Sequence, residues 1–92
     1  LLLRRYHVAD EATRLRLKNE IVKEAQPLVR KIAYSLARRP SDPLDDLMQV
    51  GHIGLLKAID KYNPFAAASF KPSATTLITG EIRHYLRDKS SM

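Results

Sequence analysis

The chain has 92 residues, no cysteine, and sixteen Lys plus Arg against ten Asp plus Glu, a net charge of +6 with a pI near 9.9. That length allows one domain with a modest core. The missing cysteines exclude disulfide scaffolds, thiolate zinc sites and thiol catalysis, and fit a reducing, cytoplasmic location. The cation surplus suits a polyanionic partner, most often nucleic acid, or a solvated basic surface with no partner.

The opening "LLLRRY" has too few apolar residues for a signal peptide, and no later stretch reaches membrane-spanning length, so no membrane partner is expected. Its abrupt start and the end at "RDKSSM" read as a fragment of a longer protein. Apolar spacing is helical nearly throughout, with no alternating strand. A first helix is predicted from Asp10, a plausible N-cap, to about Ala25, burying Leu17, Ile21 and Ala25 and turning Arg14, Lys18 and Glu20 to water. Pro27 either kinks this helix or opens a second one, in which Leu28, Ile32 and Leu36, with Val29 and Ala33, continue the register to about Arg38. A third helix follows "RRPSDPLDD": Asp42 can cap it, Pro43 suits its first position, and Asp45 and Asp46 complement the dipole. Asn63-Pro64 stops it, "FAAASFKP" connects, and a fourth helix is predicted from Pro72 to about Leu86. The expected fold is all-α, a single compact domain of about four helices over residues 1–92.

On the third helix, Leu44, Leu47, Met48, Gly51, Gly54, Leu55, Ala58, Ile59 and Tyr62 fall on one arc, the core face. The two glycines there let a neighbouring helix approach closely. Val50, Ile53 and Leu56 project from the opposite side among Asp46, Gln49, Lys57 and Asp60. Such an apolar strip ringed by polar groups is either a partner surface or is covered by another segment of the protein. On the fourth helix Ala74, Ile78, Ile82 and Tyr85 line one face, with Leu77 and Leu86 flanking. Thr76, Thr79, Gly80, Arg83 and Arg87 line the other, which suits phosphate or base contacts or remains a solvated face with Arg83 paired to Asp88 or Glu81.

Catalysis finds no support. His7, His52 and His84 lack metal-ligand spacing, no nucleophile stands beside a base, and there is no phosphate-binding glycine loop, so neither enzyme activity nor a cofactor is expected. The G-x-x-G of "GHIG" evokes a KH loop, but KH domains need a sheet and the apolar register runs straight through it. A helical protein-interaction module without nucleic-acid function is the alternative reading.

Two segments together carry a family resemblance. "DDLMQVGHIGLLKAIDKYNP" resembles the part of bacterial sigma-70-family initiation factors that docks on core RNA polymerase. "SFKPSATTLITGEIRHYLRDK" is similar to the promoter-melting and −10-reading segments that follow it. "GEIRHYLRD" is most like the alternative branch serving stress, sporulation and motility genes, the sigma-F-like group. "QPLVRKIAYSLARRP" resembles the preceding conserved helix.

The resemblance implies a helical sigma region 2 without catalysis of its own, acting in transcription initiation. Its partners would be the clamp coiled coil of the polymerase's largest subunit, the −10 non-template strand of promoter DNA, and, in the alternative branch, an anti-sigma factor. Asp46, Gln49, Val50, His52 and Leu56 match the clamp-docking positions, and Ile53 joins them from the helical wheel. Val50 and His52 replace an acidic residue and an asparagine common in housekeeping members. Arg83, His84 and Arg87 are the expected −10 readers, with Lys71 and Thr76 near the strand and Thr79 on the same face. Ser73 stands where many members carry an aromatic, Thr76 and Leu77 stand where paired tryptophans are frequent, and "FAAAS" lacks the usual glycine.

Overall fold

The computed structural model describes residues 2–39, 42–63, 65 and 69–90, in which four helices follow one another: α1 (Leu2–Val8), α2 (Glu11–Leu36), α3 (Leu44–Lys61) and α4 (Phe70–Ser90). The all-α expectation holds, but the helices divide differently. The first and second predicted helices are one continuous α2 with Pro27 inside it. Proline removes one backbone donor; beside the gap, the Gln26 side-chain amide donates 3.1 Å back to the Val22 carbonyl. The start of α2 agrees with expectation, since Asp10 Oδ1 accepts from the Thr13 N–H at 2.9 Å.

The fourth helix of the count is instead α1, which periodicity did not reveal. Seven residues are too short to be helical alone, and α1 is held by tertiary contacts. Tyr6 is buried and its hydroxyl donates to Asp60 Oδ1 on α3 at 2.8 Å. The Arg14 guanidinium lies 5.3 Å over its ring, and Arg14 Nε donates to the Tyr6 carbonyl at 3.3 Å. Lys18, expected to face water, reaches the same Asp60 oxygen at 3.4 Å.

The α2–α3 corner is also built otherwise than expected. Asp42 does not cap α3. Its Oδ2 accepts from the N–H groups of Arg38 and Arg39 at 2.9 and 3.1 Å, fastening the exit from α2. Pro43 is the N-cap residue, and its carbonyl accepts from Asp46 and Leu47 at 3.0 and 3.1 Å. Helix α4 starts two residues before the predicted Pro72 and runs four past Leu86. Proline is compatible with a first helical turn because its missing N–H has no partner there.

Helices α2, α3 and α4 alternate in direction. The start of α2 meets the end of α3 at Lys18–Asp60, and the end of α3 meets the start of α4 where the Tyr62 and Phe70 rings touch edge to face at 5.3 Å. The core between them is apolar: Leu47, Leu55 and Ile59 from α3, Ile78 and Ile82 from α4 and Val29 from α2 are fully enclosed. Each such side chain contributes roughly 1.5–3 kcal/mol by leaving water.

The glycines explain how α3 and α4 meet. A Cβ at Gly54 would stand 2.6 Å from the Leu77 carbonyl oxygen and 2.7 Å from Ile78 Cα, so the α4 backbone lies directly against it. A Cβ at Gly51 would meet only side-chain atoms, Val29 Cγ1 at 3.0 Å, Ile82 Cδ1 at 3.2 Å and Ile78 Cγ2 at 3.3 Å. Gly54 is thus the helix–helix contact point, and Gly51 fits around side chains beside it.

Candidate functional site

With one side of α3 committed to that contact, its other side is defined by geometry. Asp46 and Gln49 are exposed, Ile53 is 49% exposed, and Leu56 is half-buried beside them. His52 is half-buried at one margin of this face. Val50 departs from the wheel: it is half-buried and packs against the core cluster, so it edges the outer face rather than standing opposite the core. The face therefore holds an apolar pair, Ile53 and Leu56, flanked by Asp46 and Gln49. Lys57 at its edge is engaged by Glu81 of α4, which ties the two helices together from outside.

On α4, Ala74, Ile78 and Ile82 are fully buried and Leu86 joins them, while Tyr85 is half-buried at the border. Thr76, Arg83, His84 and Arg87 are exposed and Thr79 is half-buried, so the polar face is real and open. Neither carboxylate expected to pair with Arg83 does so. Glu81 takes Lys57, and Asp88 takes His84 Nε2 at 3.1 Å and Arg87 Nε at 3.9 Å. Arg87 Nη2 also donates to His84 Nδ1 at 2.7 Å, which leaves the ring proton on Nε2 facing Asp88. Among the described residues Arg83 has no ion pair, whereas Arg87 is held in a local network. The Thr76 hydroxyl donates to the Pro72 carbonyl at 3.0 Å, leaving its oxygen as an acceptor.

Lys71 is not brought to this face. It lines a cavity of about 760 Å³ with Leu2, Leu3, Ala25 and Leu28, on the side of α4 facing α1 and α2. Twelve residues of helix, roughly 18 Å, separate it from Arg83.

An open cleft of about 460 Å³ lies where α3 gives way to α4, between Lys61, Tyr62 and Asn63 on one wall and Ser73, Thr76 and Leu77 on the other. Phe65, 66% exposed, follows immediately, its N–H donating to Asn63 Oδ1 at 2.9 Å. From sequence Tyr62 falls on the core arc of α3 and Phe65 in the connection that follows, so neither reads there as an aromatic beside a cleft. The signal was present: both flank the Asn63-Pro64 helix stop. The rest of "FAAAS" lies largely outside the described residues.

A helical domain with an apolar, polar-rimmed outer face on α3 and an arginine face on the following α4 fits the family that the sequence resembles. A sequence model of that family, described as Sigma-70 region 2, matches residues 21–92, and the chain belongs to it. The chain is 33% identical over 91 residues to the RNA polymerase sigma-F factor of Priestia megaterium, covering 99% of this chain and 34% of that protein. It is 37% identical over 73 residues to the RNA polymerase sigma-F factor of Kitasatospora aureofaciens, covering 79% of this chain and 24% of that protein. Over 46 residues it is 52% identical to the RNA polymerase sigma-B factor of Bacillus subtilis (strain 168), half of this chain and 18% of that protein. The chain thus corresponds to a quarter to a third of the sigma-F relatives' length, and it is an alternative-type sigma region 2. No described helix is long and apolar enough to cross a membrane.

Proposed function

We propose that this domain is the part of a longer sigma factor that docks on core RNA polymerase through the outer face of α3 and holds the −10 non-template strand through α4. The observation that carries this reading is the division of labour on α3. Gly54 presses one side onto the α4 backbone, and the other side presents Ile53 and Leu56 between Asp46 and Gln49. An apolar centre with a polar rim is the composition of a docking patch. The clamp coiled coil of the largest polymerase subunit is its partner, with His52 and Val50 at the margins. An anti-sigma factor would compete for the same surface.

On the DNA side, Arg83 is the readiest contact because no carboxylate holds it, and the Arg87 guanidinium is positioned by His84 and Asp88. Thr76 and Thr79 flank them, and Lys71 serves only a strand that extends to the start of α4. The cleft beside Thr76 accepts an unstacked base, with Tyr62 and Phe65 supplying the aromatic surface absent at Ser73. One stacked base contributes about 1–3 kcal/mol. The domain positions its partners and performs no chemistry itself.

Two measurements test this reading. Leu56→Asp should abolish capture of core polymerase while leaving helicity intact, and unchanged affinity would refute the docking face. Arg83→Ala with Arg87→Ala should weaken salt-sensitive binding to a single-stranded −10-like oligonucleotide. If that double variant binds as tightly as the parent, the DNA face lies elsewhere.

A further inference from the structure

We propose that the α2–α3 corner, together with the last turn of α4, is a second nucleic-acid surface that grips duplex phosphates without reading sequence. This rests on the DNA-binding reading above and extends it to residues outside the α4 arginine face. Two clefts of about 400 and 150 Å³ meet at the corner and share Arg38, Arg39 and Asp42; Tyr34 walls the first, and Leu86 and Lys89 wall the second.

An aspartate three or four residues from two arginines reads, in sequence, as a cancelled charge. The structure separates the two functions. The Asp42 carboxylate is spent on the backbone N–H groups of Arg38 and Arg39, so it fixes the turn and leaves both guanidinium groups exposed. Among the described residues neither arginine has an ion pair, and Lys89 lies 6.0 Å from the Tyr85 ring centroid with no ion pair either. Asp45 and Asp46 line neither cleft, and Asp88 is occupied by His84 and Arg87. Three cations therefore face one carboxylate that is already hydrogen-bonded.

The partner follows from what surrounds these cations. Tyr34, 64% exposed, sits on α2 one turn after exposed Arg30, and beyond the end of α2 exposed Arg38 shares its cleft, so a phenol stands beside guanidinium groups. The aliphatic residues lining the clefts, Ala37, Leu44 and Leu86, are half-buried or buried. Among the described residues the other exposed large apolar side chains, Leu15, Ile53 and Phe65, line neither cleft, so the corner presents charge rather than an exposed apolar anchor. Guanidinium forks match phosphate oxygens, and Lys89 places the corner against the C-terminal end of α4, on a side of that helix other than the one Arg87 occupies. Phosphates of a duplex leaving the −10 segment fit this strip.

The test measures binding of the chain to a fluorescent duplex of unrelated sequence and to the −10-like single strand, across a salt series. Each lost phosphate contact flattens the slope of log K against log[salt] by about 0.9. Arg38→Gln with Arg39→Gln should therefore flatten the duplex slope by about 1.8 and weaken binding roughly 60-fold at 0.1 M salt. The lysine pair at the same positions should keep the slope. An unchanged slope in the glutamine variant, while Arg83→Ala with Arg87→Ala still loses single-strand binding, overturns the corner and spares the α4 reading. Loss of polymerase capture with intact duplex binding overturns it in favour of a protein surface. A fall in melting temperature with no change in slope overturns it in favour of a structural role. A parent chain that binds neither probe refutes both readings.

Discussion

The contact between α3 and α4 predicts opposite outcomes for three glycine-to-alanine substitutions. In an unconstrained helix interior each would stabilise by about 1 kcal/mol through propensity alone. At Gly80 nothing lies within 4 Å of the added Cβ, so that gain should appear in full. With about 4–8 °C per kcal/mol in a domain of this size, the melting temperature should rise by that amount. At Gly51 the new methyl needs only a few tenths of an ångström from Val29, Ile82 and Ile78 side chains; a cost of about 1 kcal/mol offsets the gain. At Gly54 the nearest atoms are backbone, at 2.6, 2.7 and 2.9 Å, and ordinary contact begins at 3.4 Å. Helix α4 must move bodily by most of an ångström, which loosens Ile78 and Ile82 against Leu47, Leu55 and Ile59. Overpacking of this kind costs about 3 kcal/mol, leaving a net loss of about 2 kcal/mol and a fall of roughly 8–16 °C. Thermal unfolding followed by circular dichroism measures all three. If Gly54→Ala melts at or above Gly51→Ala, the backbone contact does not set the helix separation and the reasoning fails.

Tyr6→Phe should lower stability by about 0.5–1.5 kcal/mol through loss of its bond to Asp60, seen as a reduced urea midpoint at neutral pH. Burial first, then Asp60, raises the Tyr6 hydroxyl above the ordinary phenol value near 10, so the folded state holds that proton more tightly than the unfolded one. That stability is complete below pH 10 and lost as pH rises through the folded value, so parent and Tyr6→Phe curves should converge at strongly alkaline pH. Asp42, through the N–H groups of Arg38 and Arg39, and Asp10, through Thr13, are both held below the usual carboxylate value. Their contribution is present above about pH 4 and disappears as pH falls through the folded values; Asp10→Ala and Asp42→Ala should each flatten the acid limb of the midpoint curve. Phe65→Ala should weaken the −10-like single strand by roughly 5–150-fold, with duplex binding unaffected, as read by fluorescence anisotropy.

The elements legible in the sequence are those whose signal is local. Helix α3 carries a full apolar arc, and its core residues were readable from spacing because Leu47, Leu55, Ala58 and Ile59 repeat with the helical period. The Asp10 cap was readable because it acts three residues away, on Thr13. What escaped is long-range. Tyr6 makes α1 by meeting Asp60, 54 residues on, and no window along the chain contains both. Asp42 preceded a helix start and was assigned forward, whereas its oxygen faces backward to α2; residue type allows either direction and only the turn decides. Val50 failed for a different reason: an ideal wheel has sharp sides, but a helix flanked by both α2 and α4 buries more than half its circumference. Of the candidate site, Ile53, Leu56, Thr76, Arg83 and Arg87 stand where the wheels put them, and His84, which came from the resemblance, is exposed beside Arg87. Lys71, also from the resemblance, lies on the side of α4 facing α1 and α2, a placement that helical spacing from Arg83 decides and motif matching does not.

The glycine at 54 and the ion pair between Lys57 and Glu81 bear on function through one physical consequence. The proposed docking face on α3 and the proposed strand-holding face on α4 work together only if the helices keep a fixed relation, since a shift of an ångström at an interface changes which contacts form. Side-chain packing alone leaves some freedom to slide, because rotamers can readjust. A backbone-to-backbone seat does not, because neither partner has a side chain to give way at that point. Lys57 and Glu81 add little stability as an exposed pair, but they sit outside the seat and resist rotation about it. Helix α4 is thereby held as an extension of α3. Whatever grips Ile53 and Leu56 also sets where Arg83 and Arg87 stand, and this rigid seat gives Gly54 a use that helix propensity alone could not explain.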